Sequence, residues 1–286
     1  MPLQNRALHF GDTSVLLQYA GERSARIIEF LYSRLARHGT AEPRVTFHIV
    51  PGVEADELSL YRGGRLLYDG ASAGQLANQL MSDSLYHLAD KCCGGMLIHA
   101  AAAARGGRVL LMPGTTGAGK TSLSVWLMQS GFDYLTDELV YIGEGSISAQ
   151  GFTRPLNVKT RARDAVGQLF DFEANRDAVL NCEQAVLVPP ESVGSVADVD
   201  TMPLGAILFP RFEANAELAL RRLSPAQTGL RLMSCLINAR NLAGHGFPEA
   251  TRIARLVPAH ELIYGDYEQL DAAISELHGT LLESAA

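Results

Sequence analysis

Two stretches of this chain carry residue types in an order that chemistry can use. Gly114-Thr115-Thr116-Gly117-Ala118-Gly119-Lys120-Thr121 fits G-x-x-x-x-G-K-[ST]. In that pattern glycines let backbone N–H groups turn inward on a phosphate, the lysine reaches the β- and γ-phosphates, and the hydroxyl ligates Mg2+. All eight residues are candidate nucleotide contacts; Lys120 is also a candidate catalytic cation and Thr121 a candidate metal ligand. The chain is poor in lysine: Lys91, Lys120 and Lys159 are the only three among its 24 lysines and arginines, and one sits in this loop. The second stretch, Asp137-Glu138, lies seventeen residues beyond Lys120. A carboxylate there can hold Mg2+ or take a proton from an attacking hydroxyl.

The flanking residues form the elements that would position these groups. Arg108-Val109-Leu110-Leu111-Met112 reads as a short buried strand, and Thr121-Ser122-Leu123-Ser124-Val125-Trp126-Leu127-Met128 as a helix opening after the loop. In such a unit the helix carries the chain away from the phosphates and the following parallel strand brings it back. A helix of about ten residues descends roughly 15 Å and a strand of about five residues from Gly131 climbs roughly 17 Å, so Asp137 returns to the height of the loop. Strand alternation turns Glu138 away from a site that Asp137 faces, so Glu138 is a metal ligand only if the backbone bends there. Farther on, Arg154 to Lys159 alternates basic and apolar residues, which suits a strand or loop presenting cations to one side. Arg154 and Lys159 are candidates for stabilising a transferring phosphoryl group, the alternative being solvated surface cations.

Many P-loop proteins place the acid much later, after further strands. An acidic pair directly after the loop's helix resembles the HPr kinase/phosphorylase family and its relatives, the ATP-dependent phosphoenolpyruvate carboxykinases. The resemblance extends upstream. His99, in Leu97-Ile98-His99-Ala100-Ala101-Ala102, stands fifteen residues before Gly114, where those kinases carry a histidine at the head of the strand pair. The resemblance implies a near-phosphate role for His99; the residues alone read as a packed histidine beside small alanines. Thr153 to Lys159, Val188-Pro189-Pro190, Leu208 to Phe212 and Glu261 to Asp266 are similar to the HPr-kinase-related proteins. Those are often encoded beside ribosomally made, modified peptides, and some relatives phosphorylate lasso peptides. The resemblance covers roughly residues 90–280 and is strongest from His99 to Ile142. Thr121 stands where the family often has serine, and Glu138 where it has a second aspartate. The glycine-lysine-cysteine signature of the bifunctional enzymes has no counterpart, so no phosphorylase activity on HPr is expected.

Composition bounds the remainder. At 286 residues, one or two domains with an ample core are expected. A net charge of -7 without a basic stripe argues against nucleic acid as a partner, because a phosphate backbone needs clustered cations. Four cysteines, including adjacent Cys92-Cys93, have neither metal spacing nor a secreted framework and read as reduced, buried thiols. No apolar run approaches the roughly eighteen to twenty residues of a membrane span. The N-terminal residues lack a signal peptide's apolar region, so no membrane partner and a cytoplasmic location are expected.

Residues 1–90 read as a small α+β module, with strands at 7–10 and 13–18, a helix at 22–35, and strands at 45–50, 58–61 and 65–68. A helix over 73–91 leads into a core spanning 91–286. There the strand pair around His99 and Val109 precedes the loop, and the chain is irregular from Gly143 to about Met202. Strands at 204–209 and 218–223 read as a pair. Ser224, Pro225 and Gln227 form a helix start for a helix running to about Arg240, Pro248 opens another, and the last helix runs from Asp266 to about Glu283.

The expected fold is therefore α/β, a P-loop HPr-kinase-like C-terminal core with a small α+β N-terminal module that helps to recognise the acceptor. The expected function is an ATP- and Mg2+-dependent kinase transferring the γ-phosphate to a hydroxyl, foremost a serine of a peptide or protein such as a modified-peptide precursor. Asp137, Lys120 and His99 are the expected catalytic residues, and Thr121, Asp137 and Glu138 the expected metal ligands. A small-metabolite kinase and a nucleotide-binding regulator without catalysis are the alternatives; a correctly placed base separates catalysis from binding. The resemblance further implies a homo-oligomer.

Overall fold

A computed structural model describes residues 2–35, 39–52, 54, 56–199, 201–271 and 273–275. The protein is mixed α/β and divides into two compact units, Met1–Cys92 with Thr153–Ser192, and Cys93–Phe152 with Val193–Ala286.

The first unit opens with β1 (Gln4–Phe10), β2 (Thr13–Tyr19), α1 (Glu22–Tyr32), β3 (Thr46–Pro51), β4 (Leu58–Arg62), β5 (Arg65–Gly70) and α2 (Ala73–Asp90). Its five strands pair in chain order, antiparallel except for β2 with β3. The apolar spacing of α1 puts Ile27, Ile28, Leu31 and Tyr32 on one buried face, and α2 buries Leu76, Ala77, Leu80, Met81 and Leu88.

The second unit begins with β6 (Gly95–Arg105), β7 (Arg108–Pro113), α3 (Lys120–Gln129), β8 (Asp133–Thr136), β9 (Leu139–Gly143) and β10 (Ser148–Gly151). The chain then returns to the first unit for β11 (Leu156–Lys159), α4 (Arg163–Gly167), β12 (Leu180–Asn181) and β13 (Ala185–Val188), whose strands form a sheet ordered β11-β13-β12. The domain boundary expected at 90/91 is therefore incomplete, because residues 153–192 also belong to the first unit. Close packing explains it: Cys182 Sγ donates to Gly74 O at 3.2 Å, and a Cβ on Gly74 would stand 2.0 Å from Asn181 O. The stretch that reads as irregular from 143 to 202 contains β10 to β13, each of two to four residues and too short to show a period.

Back in the second unit follow β14 (Thr201–Phe212), β15 (Ala219–Arg222), α5 (Pro225–Cys235), α6 (Phe247–Leu256) and β16 (Ala259–Tyr264). The sheet runs β10-β9-β6-β7-β14-β16-β15, with β8 also on β6 and β10 also on β14, so that β10, β9, β6, β7 and β14 close into a ring. The expected pairing of the strands at 204–209 and 218–223 is corrected, since β16 lies between β14 and β15. Leu204 to Phe209 are buried and take a central place, whereas Arg221 and Arg222 of β15 are exposed and suit an edge.

The capping box of Ser224 and Gln227 opens α5 as expected, but the helix stops at Cys235 rather than near Arg240. There Leu236 bridges Ile98 and the Ile237 N–H donates to Leu97 O, which draws the chain onto β6. The last helix begins at Leu270, and its expected course beyond Ser275 lies outside the described residues. No described helix is long and apolar enough to cross a membrane. Around Ala100, Ala102 and Ala104 of β6 the core gathers Val109, Leu111, Val140, Ile142, Ile207 and Ile253. Side chains this small let neighbouring elements approach β6 closely, so the strand that carries His99 is held on both faces.

Candidate active site

The loop between β7 and α3 holds its shape by backbone geometry. Gly117 and Gly119 have φ of +99° and +91°, a region that residues with a Cβ seldom adopt. Gly119 has a second constraint, because a Cβ there would stand 2.7 Å from the Tyr264 hydroxyl and 3.3 Å from Phe212 Cβ.

Lys120, the first residue of α3, is 7% exposed, and its ammonium folds back over the loop. Nζ donates to Gly114 O at 2.7 Å, to Thr115 O at 3.2 Å and to His99 Nε2 at 2.9 Å. A charged lysine can only donate, so Nε2 of His99 is the accepting nitrogen and the ring proton sits on Nδ1. From there it is donated to Glu138 O at 3.1 Å. Burial, with the Lys120 charge beside it, holds the His99 pKa below its ordinary value, which fits the neutral tautomer.

The return strand brings the acids to the same place. β8 runs antiparallel to β6, which runs antiparallel to β7, so β8 points the same way as β7 with β6 between them. At its end Asp137 is 2% exposed, and Thr121 Oγ1 donates to its Oδ2 at 3.0 Å. The Tyr134 hydroxyl donates to Oδ1 at 3.3 Å. The backbone bends at Asp137 and Glu138 between β8 and β9, which breaks strand alternation. Glu138 therefore does not turn away: its Oε1 lies 3.4 Å from His99 Nδ1, with 37% of the side chain exposed.

Five of the candidate residues thus meet at one loop, Thr121 on Asp137 and Lys120 on His99 beside Glu138. Arg154 and Lys159 belong to the first unit. They do not present a shared cationic side: Arg154 is 3% exposed with Nη1 donating to Met81 Sδ at 3.1 Å, while Lys159 ends β11 in solvent. Met81 and the buried Tyr32 surround the guanidinium, and its charge acts on the Tyr32 phenol.

Three aromatic residues at the site have no role in the sequence reading. Tyr134 bonds Asp137, while Tyr264 and Phe212 wall Gly119, their rings 5.5 Å apart and edge to face. The Tyr264 hydroxyl is buried beside Ser122, whose side chain acts on it as a hydrogen-bonding neighbour. No local pattern ties Tyr264 to a loop more than 140 residues earlier; only the pairing of β16 with β14, and β14 with β7, does so.

Among the described residues no group of three or more His, Cys, Asp or Glu is placed to hold a metal ion. The hydroxyl and carboxylate oxygens of Thr121 and Asp137 are nevertheless the hard donors that Mg2+ takes, in the small number it uses when phosphates and water complete its shell. A scan against protein-family models finds no match for this chain, and a search of curated proteins finds none.

Proposed function

We propose that the protein is an ATP- and Mg2+-dependent kinase that transfers the γ-phosphate to a hydroxyl, foremost a serine of a peptide or protein. The observation that carries this reading is the joint placement of an ammonium, a hydroxyl-carboxylate pair and a histidine-carboxylate pair around one glycine loop. Bound Mg-ATP supplies the transferable phosphoryl group and the cation that neutralises its charge.

The residues have separable tasks. Amides of Gly114 to Gly119 receive phosphate oxygens, and Lys120, already buried, exchanges its carbonyl acceptors for them. Thr121 and an acid of the bend would hold the metal side. His99, kept neutral, positions the Lys120 ammonium through Nε2. A carboxylate at the bend takes the proton of the attacking hydroxyl; Asp137 is the first candidate, and Glu138 is more open to solvent.

The test is Lys120→Ala. Calorimetry is expected to show Mg-ATP affinity sharply reduced, and phosphate transfer from labelled ATP to hydroxyl peptides is expected to vanish. Unchanged affinity would remove the loop from the site. Label on a metabolite alone would keep the kinase and reject the peptide acceptor; tight binding with no transfer by the wild-type protein would favour a regulator.

A further inference from the structure

The geometry points to Phe212, propped on Tyr264, as the wall on which the base of a bound nucleotide stacks. This rests on the nucleotide-binding reading of the loop and adds where the far end of the nucleotide lies.

A nucleoside triphosphate is a linear object, with the terminal phosphate at one end and the base at the other. The strand order fixes two opposite flanks for the loop. On one side of β7 lie β6, β8 and β9, which deliver His99, Asp137 and Glu138. On the other side lie β14 and then β16, both parallel to β7, so their C-terminal residues Phe212 and Tyr264 emerge at the same edge as the loop. With the terminal phosphate directed toward the acid and histidine flank, the base extends toward β14 and β16. Ligands of such sheets sit outside the C-terminal strand ends.

The wall has the properties stacking requires. Phe212 is 42% exposed, and its Cβ lies 3.3 Å from where a Gly119 Cβ would be, so a partly open ring is anchored directly beside the loop. Its ring meets Tyr264 at 66° and 5.5 Å, and Tyr264 is fully buried, so the exposed ring stands on a fixed support. The backbone is fixed too: the Glu213 N–H donates to Tyr264 O at 3.1 Å, and Gly265 is packed against the Ala216 backbone, where a Cβ would lie 2.6 Å from Ala216 O. The loops after β14 and β16 are thus tied together before any ligand arrives. Stacking of this kind tolerates any base because every base has a π-face.

The test compares Mg-ATP with inorganic tripolyphosphate, which has the phosphates and no base. Phe212→Ala is expected to weaken Mg-ATP about 5- to 150-fold, the range for losing one base-aromatic stack. Tripolyphosphate affinity is expected to stay within about twofold. Phe212→Trp is expected to retain ATP affinity, and its added indole fluorescence to be quenched by ATP but not by tripolyphosphate. Equal loss for both ligands in Phe212→Ala, or no loss for ATP, overturns the stacking wall. Failure of tripolyphosphate to bind the wild-type protein would instead reject the loop reading beneath it.

Discussion

Gly119→Ala is the substitution whose cost can be worked most directly from the structure. Two independent penalties apply. The residue sits at φ +91°, and its new Cβ would lie 2.7 Å from the Tyr264 hydroxyl, well inside contact distance. A left-handed L-residue costs about 1–2 kcal/mol and overpacking about 1–3 kcal/mol, less about 0.4–1 kcal/mol returned by a stiffer unfolded chain, for a net of roughly 1–4.5 kcal/mol. The reporter is built in, because Trp126 is the chain's single tryptophan and lies buried in α3, the helix that begins at this position. Urea unfolding followed by its fluorescence is expected to show a lower midpoint at unchanged slope. Tyr264→Phe separates the penalties by removing the nearest atom, and with it only the neighbouring Ser122 hydroxyl loses an interaction, so alone it is expected to cost about 0.5–1.5 kcal/mol. In that background Gly119→Ala should keep the backbone penalty and the 3.3 Å approach to Phe212 Cβ but lose the Tyr264 clash, a coupling of up to about 3 kcal/mol. A cost below about 1 kcal/mol, or the same cost in both backgrounds, would refute the crowding argument.

Asp137→Asn is expected to preserve the fold and lower phosphate transfer about 10²- to 10⁴-fold; a rate restored by raised Mg2+ assigns Asp137 to the metal, and one that is not assigns it to the proton. His99 has its folded pKa below about 6.5, so the unfolded chain binds more protons in that interval and stability rises with pH. The His99 contribution is therefore complete above about pH 6.5 and lost as pH falls through the folded value; His99→Gln should flatten the stability profile below pH 6.5, and an identical profile would refute the assignment. Asn238, 2% exposed, accepts from Leu97 N–H and donates to Gly95 O, both at 2.9 Å. Asn238→Ala leaves both backbone groups buried, and a loss of roughly 2–5 kcal/mol in the Trp126 transition is expected.

The site's spine was legible in the sequence because its determinants are local. The loop pattern names its residues, and the rise per residue of one helix and one strand returns Asp137 to Thr121. His99 was found through resemblance, while its contact with Lys120 depends on the pairing of β6 with β7. The bend that turns Glu138 toward His99 has no signal of its own, since Thr136-Asp137-Glu138-Leu139 contains neither glycine nor proline. The sequence reads Arg154 as a cation presented to a phosphoryl group or to solvent, because neighbouring residues cannot show that Met81, 73 positions earlier, receives its guanidinium. The helix at Ser224 was legible at its start, where the cap is four residues long, and not at its end, where β6 competes for the backbone.

The chain passes between its two units at 92/93, 152/153 and 192/193. During synthesis the five strands β1 to β5 can pair early, but β11 to β13 complete that unit only after β6 to β10 have already left the ribosome. The loop's own sheet must wait longer, because β14, which pairs with β7, and β16 beyond it, which together supply the wall at Gly119, come last. Vectorial folding in the usual sense, one domain finished before the next begins, is thus closed to this chain. Neither unit corresponds to a single cut of the sequence. A fragment starting at residue 93 would carry the 153–192 segment without α2, against which β12 and β13 lie. Shortened forms of this protein are therefore expected to expose apolar surface that the intact chain buries.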